Sequence, residues 1–216
     1  MNDDTSPASG ACRDVTPSPT LDSILSARPT SPAGDSDAEA PPVWFLDVDG
    51  VLNIDTDAPL DGTEAVELVV RGWPVTIRYR PAVVSRINAL HSSGLLEVVW
   101  LTTWRQDAVD VLSPTIGLDR FSVADEPSGG PSLAAHPGNA LGLTWWKSAA
   151  SQAHLKQRRR SEFIWTDDEL ALGRAEVDSW APSRTLLLPT DPLVGLTAAE
   201  LDSIEAFAHG LDRRPL

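Results

Sequence analysis

With 216 residues, 42% of them apolar, and a net charge of −14, the chain is long enough for one α/β domain plus a tail, and its surface is too acidic for general adhesion to nucleic acid or anionic membrane. Cys12 is the only cysteine, which excludes a disulfide within the chain and a cysteine-based zinc site, and the four histidines show no paired ligand spacing. No apolar run approaches the roughly 20 residues of a membrane span, and Met1-Asn2-Asp3-Asp4 lacks the basic, apolar, small-residue order of a signal peptide, so a soluble cytoplasmic protein without membrane contact is the expectation.

Residues 1–42 hold seven of the 18 prolines, are poor in aromatics, and carry seven acids against two arginines, so −5 of the −14 resides there. Such a stretch cannot bury enough apolar surface to offset its ordering entropy, which predicts a disordered tail ahead of one domain over 43–216. The texture changes at Val43. Val43–Leu46 reads as a buried strand. Val66–Val70 and Val75–Tyr79 read as a hairpin with Arg71-Gly72-Trp73-Pro74 at its tip. Pro81 opens a helical pattern, Ala82–His91, that Ser92-Ser93-Gly94 ends. Leu96–Leu101 is the second buried strand and runs into Thr102-Thr103-Trp104-Arg105. Gln106–Leu112 reads as a helix closed by Ser113-Pro114, and residues 113–143 as loop. Trp145–Leu155 is a helix followed by a basic run, Lys156 to Arg160. Phe163–Trp165 is a third core strand, ending in Thr166-Asp167-Asp168-Glu169. Glu169–Trp180 is helical, Thr185–Leu188 a further strand, and Thr197 with Glu200 a reciprocal cap for a last helix through about His209. Strands alternating with helices predict an α/β fold: a Rossmann-like, three-layer, mostly parallel sheet with helices on both faces, a small β-hairpin flap and no large cap domain.

The densest chemical signal is Asp47-Val48-Asp49-Gly50, directly after the first strand. Carboxylates at the exit of a buried strand sit at the sheet's carboxyl edge, where open α/β sheets bind ligands. Two acids at i and i+2 share one side of an extended chain, and Gly50 lets the backbone turn sharply. The same tetrapeptide occurs in calcium loops, but these require a glutamate at the twelfth position, and here that position is Ala58. Two later strands also end in polar residues, Thr102 on one, Asp167 and Asp168 on the other. Lys147 begins the helix before the last of these and is one of only two lysines in the chain, so a solubilising role does not account for it. Carboxylates from separate strands form a hard oxygen site for Mg²⁺. An aspartate serves as a nucleophile that splits a difficult transfer into two steps. A hydroxyl and an ammonium hold phosphoryl oxygens as they gain charge. The set suits phosphoryl transfer.

Phe45 to Asn53, Val98-Val99-Trp100-Leu101-Thr102, Lys147 and Phe163 to Asp168 resemble, in order and spacing over roughly 43–200, the four motifs of haloacid-dehalogenase-like (HAD) phosphohydrolases. The tryptophan-flanked second motif, Asp167-Asp168-Glu169, and Thr190-Asp191-Pro192 with Gly195-Leu196-Thr197 resemble the HAD domain of Swiss army knife RNA-repair proteins. The resemblance implies Asp47 as nucleophile and Mg²⁺ ligand. It implies Asp49 as general acid/base, with its backbone carbonyl on the metal, and Thr102 on the phosphoryl group, for which Thr103 is a substitute. Lys147 would orient Asp47 and balance charge, and Asp168 would complete the metal site with Asp167 as ligand or support. No Gly-Asp-x3–4-Asp stands at the fourth motif, which leaves the division between Asp167 and Asp168 open.

The expected activity is Mg²⁺-dependent phosphomonoester hydrolysis through an aspartyl-phosphate. The resemblance points to a nucleic-acid end or nucleotide as the phosphorylated substrate, and no obligate protein partner is expected. Trp104 is a candidate for stacking on a base or for the core, Arg105 for substrate phosphate or a salt bridge. Arg158–Arg160 is a candidate for attracting a polymer or an ordinary solvated helix end. The alternatives are a small-metabolite phosphatase, a phosphorylation-responsive receiver-like module and an idle phosphate-binding module. A receiver carries its lysine after the last acids, whereas Lys147 precedes them.

Overall fold

The protein is described here by a computed structural model covering residues 40–125 and 145–210. The expected disordered tail therefore lies almost wholly outside the described residues, as does most of the second half of the expected 113–143 loop. Its last residue belongs to the domain: Pro42 is buried, and its carbonyl accepts a hydrogen bond from the Glu97 N–H at 3.0 Å.

Five strands form one parallel sheet: β1 (Val43–Leu46), β4 (Glu97–Trp100), β5 (Ser122–Val123), β6 (Phe163–Asp167) and β7 (Thr185–Pro189), in the order β5-β4-β1-β6-β7. The order reverses once, between β1 and β6, so the carboxyl end of β1 lies where a doubly wound sheet opens a ligand crevice. β5 was not legible in the sequence. Two residues are too few to show a period, and the strand exists because the sheet edge pairs Val99 with Ser122 and Trp100 with Val123.

Alternation within the strands sorts the core into two layers. Trp44, Leu46, Val98, Trp100 and Ile164 face α1 (Pro81–Ser92) and α5 (Ala198–Ala208), with α2 (Ser113–Ile116) beside them. Val43, Phe45, Val99, Leu101, Phe163 and Trp165 face α3 (Trp146–Arg158) and α4 (Leu170–Asp178). The expected three-layer α/β architecture is the one observed. Because the period is two, Asp47 follows Phe45 and Asp167 follows Trp165 onto the α3 side. That parity brings both carboxylates under the helix that carries Lys147.

The helices begin and end where their residue types require. Pro81 occupies the first turn of α1, where a missing N–H costs nothing. Thr197 caps α5 reciprocally with Glu200: the Glu200 N–H donates to Thr197 Oγ1 and the Thr197 N–H to Glu200 Oε2. The helix expected to close at Ser113-Pro114 runs on instead. Residues Ala108–Leu112 form a π-helical turn, and α2 continues to Ile116 before left-handed Gly117 ends it. The widened turn takes Ser113 N–H back to the Ala108 carbonyl, so the proline sits at the start of a fresh turn rather than in a helix interior.

Strands β2 (Glu64–Val70) and β3 (Trp73–Tyr79) form the hairpin. Its turn is two residues, Arg71-Gly72, rather than the expected four. Both have positive φ (51° and 84°), the geometry that matches strand twist in a two-residue loop. Trp73 and Pro74 are therefore strand residues, paired with Val70 and Val69. Leu68, Ile77 and Tyr79 pack into the core beside α1. Among the described residues the hairpin is the only addition to the sheet domain, and no helix is long and apolar enough to cross a membrane.

Candidate active site

β1, β4 and β6 deliver their carboxyl ends side by side: Asp167 ends β6, Asp47 and Asp168 come next after β1 and β6, and Thr102 lies two residues beyond β4. Lys147, in the first turn of α3, reaches across. Its ammonium donates to Asp47 Oδ2 and, at 2.7 Å, to Asp167 Oδ2. Asp47, Thr102, Lys147 and Asp167 are all buried. Three tryptophans wall this ion cluster. Trp145 stacks on Trp165 with ring centres 5.0 Å apart, and the Lys147 ammonium lies 5.7 Å from the Trp145 ring and 6.0 Å from that of Trp146. An aromatic wall excludes water and strengthens the charge interactions inside it.

Burial dominates the electrostatics. It pushes Asp47 up to about 7, against the pull of Lys147 and with a further push from Asp167. Burial raises Asp167 as well, while Lys147 opposes it. Asp168 is raised by burial and then by the charge of Asp47. Burial alone would lower Lys147, but the two carboxylates outweigh it and hold the ammonium above the usual lysine range. One cation thus faces three carboxylates in a poorly solvated mouth.

That excess of negative charge could hold a cation. Asp47, Asp167 and Asp168 each offer one oxygen, and the three lie within 4.8 Å of one another. An all-oxygen, carboxylate-rich set suits a hard divalent ion. The two fourth-motif acids have different surroundings. Asp167 is committed: Oδ2 accepts from Lys147 and, at 3.2 Å, from Trp165 Nε1, and Oδ1 accepts from the Glu169 N–H at 2.9 Å. Asp168 is partly exposed and lies against Gly50. A Cβ on Gly50 would stand 2.5 Å from Asp168 Cγ, and Gly50 has φ of +67°, so glycine is required there on two counts.

Asp49 is exposed, beside the cluster rather than in it. Its Oδ2 accepts from Trp104 Nε1 at 2.8 Å and its Oδ1 from Asn53 Nδ2 at 3.1 Å. Thr102 Oγ1 accepts from the Trp104 N–H at 3.3 Å. Thr103 is exposed, and its carbonyl accepts from Arg71. Trp104 is only 8% exposed, so its ring offers little face for a base; the core placement is the one found. Arg105, at a positive φ of 53°, lays its guanidinium over the Trp146 ring, 4.1 Å from the ring centre.

The basic run Arg158–Arg160 lies away from this site. α3 starts at the mouth and ends at Arg158, and a helix of that length carries the run roughly 17 Å off at about 1.5 Å per residue. Arg160 pairs there with Glu97, at the amino end of β4, at 3.1 Å. Three other residues contribute through contacts that no spacing rule assigns, although Asn53 and Thr190 stand inside the motifs that carry the resemblance and Arg71 at the hairpin tip. Asn53 holds Asp49. Arg71 ties the hairpin turn to the Thr103 and Trp104 carbonyls and to Asp107. Thr190 donates through its hydroxyl to the Gly50 carbonyl at 2.9 Å. Each link spans distant elements or carries no spacing rule.

No curated protein matches the chain in sequence. A family model for the HAD domain in Swiss Army Knife RNA repair proteins does match, over residues 43–201. That span covers more than half of the chain and includes the whole of the cluster around Asp47, and the chain therefore belongs to this family of HAD domains.

Proposed function

We propose that the protein is a phosphomonoester hydrolase whose nucleophile is Asp47 and whose substrate is a phosphorylated nucleic-acid end. Membership of the HAD domain family implies a phosphohydrolase-type function. The observation that carries the finer reading is the meeting of Asp47 and Asp167, from neighbouring strand ends, on the Lys147 ammonium, with an Asp168 oxygen in the same carboxylate cluster. Lys147 neutralises and orients the Asp47 carboxylate, leaving an oxygen to attack phosphorus. As that bond forms, the ester's P–O bond breaks, its electron pair stays with the leaving oxygen, and Asp49 supplies that oxygen's proton. In the second half, Asp49 takes a proton from water as the water oxygen bonds to phosphorus. The aspartyl P–O bond breaks, and Asp47 is regenerated with release of inorganic phosphate. The Thr102 hydroxyl and Lys147 hold the phosphoryl oxygens.

Asp47 and Asp168, with Asp167 behind them and the Asp49 carbonyl beside them, would hold Mg²⁺. When bound, the ion supplies positive charge that offsets repulsion between the Asp47 carboxylate and the phosphate dianion. Asp168→Ala is expected to raise the Mg²⁺ concentration needed for half-maximal activity by about tenfold or more, since loss of even an outer-sphere partner of a metal ligand typically costs about 10–100-fold. Asp167→Ala should mainly lower stability, because it strips Lys147 of a partner. Magnesium titrations and urea melts of both variants check this, and the reverse order would exchange the two roles.

The substrate class rests on the family match. The Arg158–Arg160 run does not support it, being at the far edge of the sheet. A polymer end at Asp47 therefore meets few free cations, and its salt dependence should be shallow. Release of inorganic phosphate from 3′- and 5′-phosphorylated oligonucleotides, the matching mononucleotides and sugar phosphates decides the matter, with Mg²⁺ and with EDTA. Higher kcat/KM on an oligonucleotide is expected. Equal or better efficiency on a sugar phosphate establishes the metabolite phosphatase instead, and no Mg²⁺-dependent release from any of them leaves a binding module.

A further inference from the structure

Asp49 poses a physical problem. An exposed carboxylate at the rim of a site turns freely among rotamers, yet proton transfer needs it within hydrogen-bond reach of one oxygen. Both of its oxygens are held, and by neutral side-chain donors from different parts of the chain. Trp104 Nε1–H donates to Oδ2 at 2.8 Å and Asn53 Nδ2–H to Oδ1 at 3.1 Å. Each carboxylate oxygen has two lone pairs, so accepting one bond leaves room for the transferred proton. The donors are themselves braced. The Trp104 ring is buried, the residue's backbone N–H donates to Thr102 Oγ1, and its carbonyl accepts from Arg71 at the hairpin turn at 3.2 Å. Asn53 Oδ1 accepts from the Arg78 N–H of β3 at 3.1 Å. Both donors therefore lean on the same hairpin, one at its turn and one along its second strand.

We infer that Trp104 and Asn53 are positioning residues that fix the Asp49 carboxyl for proton transfer to the leaving oxygen, with the β2–β3 hairpin as their common brace. This rests on reading Asp49 as the acid/base, and neither residue touches substrate. As the P–O bond of the ester breaks, its electron pair goes to the bridging oxygen and the Asp49 proton joins it there. A leaving group that is already stable as an anion needs no such proton. In the first half-reaction the residues therefore matter for alkyl esters and hardly at all for an activated aryl ester, whereas the later water step uses Asp49 whichever ester was the substrate.

The test compares 2-phenylethyl phosphate with 4-nitrophenyl phosphate as substrates of the full chain in Mg²⁺, with enzyme in excess, so that the single-turnover rate of alcohol or phenol release reports the first half-reaction alone. Trp104→Phe keeps the ring's bulk and removes the N–H. Asn53→Asp keeps the acceptor for Arg78 and replaces the donor with a repelling carboxylate. Each is expected to lower the single-turnover rate on the alkyl ester by about 10- to 100-fold, the scale on which displacement of a reacting group costs rate. The half-saturating concentration should stay within about twofold and the single-turnover rate on the aryl ester within about threefold, because the phosphoryl contacts are untouched. Asp49→Asn is run alongside and should show the same split more deeply. If Asp49→Asn slows both esters equally, the acid/base reading fails and the inference with it. If Asp49→Asn shows the split but the folded positioning variants slow both esters equally, or neither, the inference alone is overturned. Should Trp104→Phe fail to fold in a melt, Asn53→Asp decides.

Discussion

Asp47→Asn is expected to abolish phosphate release, lowering kcat by on the order of 10⁴-fold or more, as removal of a covalent nucleophile does in other hydrolases. The amide is isosteric but has no anionic oxygen to form the phosphoryl bond. The fold should survive the change. Asp47 carries a carboxylate that burial pushes up to about 7, so a neutral side chain removes a desolvation penalty. Lys147 keeps Asp167 as its counter-charge at 2.7 Å. The melting temperature should therefore be unchanged or slightly raised. Single-turnover phosphate release by the folded variant checks the assignment, and near-native turnover would sink it.

Lys147→Met should cost both activity and stability. Methionine replaces the stem of the lysine but leaves Asp47 and Asp167 buried without a cation. Breaking a buried ion pair by removing one partner typically costs about 3–5 kcal/mol, because the remaining charge stays desolvated. The sign with pH follows from the raised carboxyls. Both aspartates titrate above their ordinary range in the folded chain, and losing Lys147 raises them further. The penalty is full above those folded values and fades as pH falls towards the unfolded value, where the carboxyls are neutral in both states. Urea melts without Mg²⁺ should therefore show a deficit near pH 8 that shrinks towards pH 5. Combining Lys147→Met with Asp47→Asn should recover part of the stability and none of the activity. A loss below about 1 kcal/mol at every pH would mean that the cluster is wetter than its burial indicates.

The strands that hold the site were legible because burial on both faces imposes unbroken apolar runs. Val43–Leu46 coincides with its expected bounds, and the other two core strands are found within a residue or two of theirs. The helix caps at Pro81 and Thr197 were legible because capping uses specific side chains at fixed offsets. The edge strand Ser122–Val123 was not, since it has no internal pattern and depends on β4 for its existence. The hairpin was legible as a pair of strands. Its turn was misjudged because Arg71 takes a positive φ that composition assigns to glycine or asparagine. Arg158–Arg160 shows the limit of reading charge from sequence. A basic run says nothing of which end of the sheet it occupies, and a helix of 13 residues carries it to the wrong one.

Local chemistry and periodicity, which are properties of neighbours in the chain, determined the fold class, the strand ends and the acidic, hydroxyl and ammonium groups that arrive there. Strand parity even fixed that Asp47 and Asp167 share a face. Tertiary structure alone decided how those groups are used. Only the packing of α3 over β1 and β6 sets Lys147 between two carboxylates. Only the tertiary contacts give the paired aspartates different surroundings, Asp167 bonded to Lys147, Trp165 and Glu169 and Asp168 lying against Gly50. Only the folding of the hairpin against the loop after β4 turns Trp104 from a surface for a base into a donor to Asp49. Hydrogen bonds and desolvation act over a few ångströms between residues as far as 140 positions apart, and no one-dimensional pattern encodes which of them will meet.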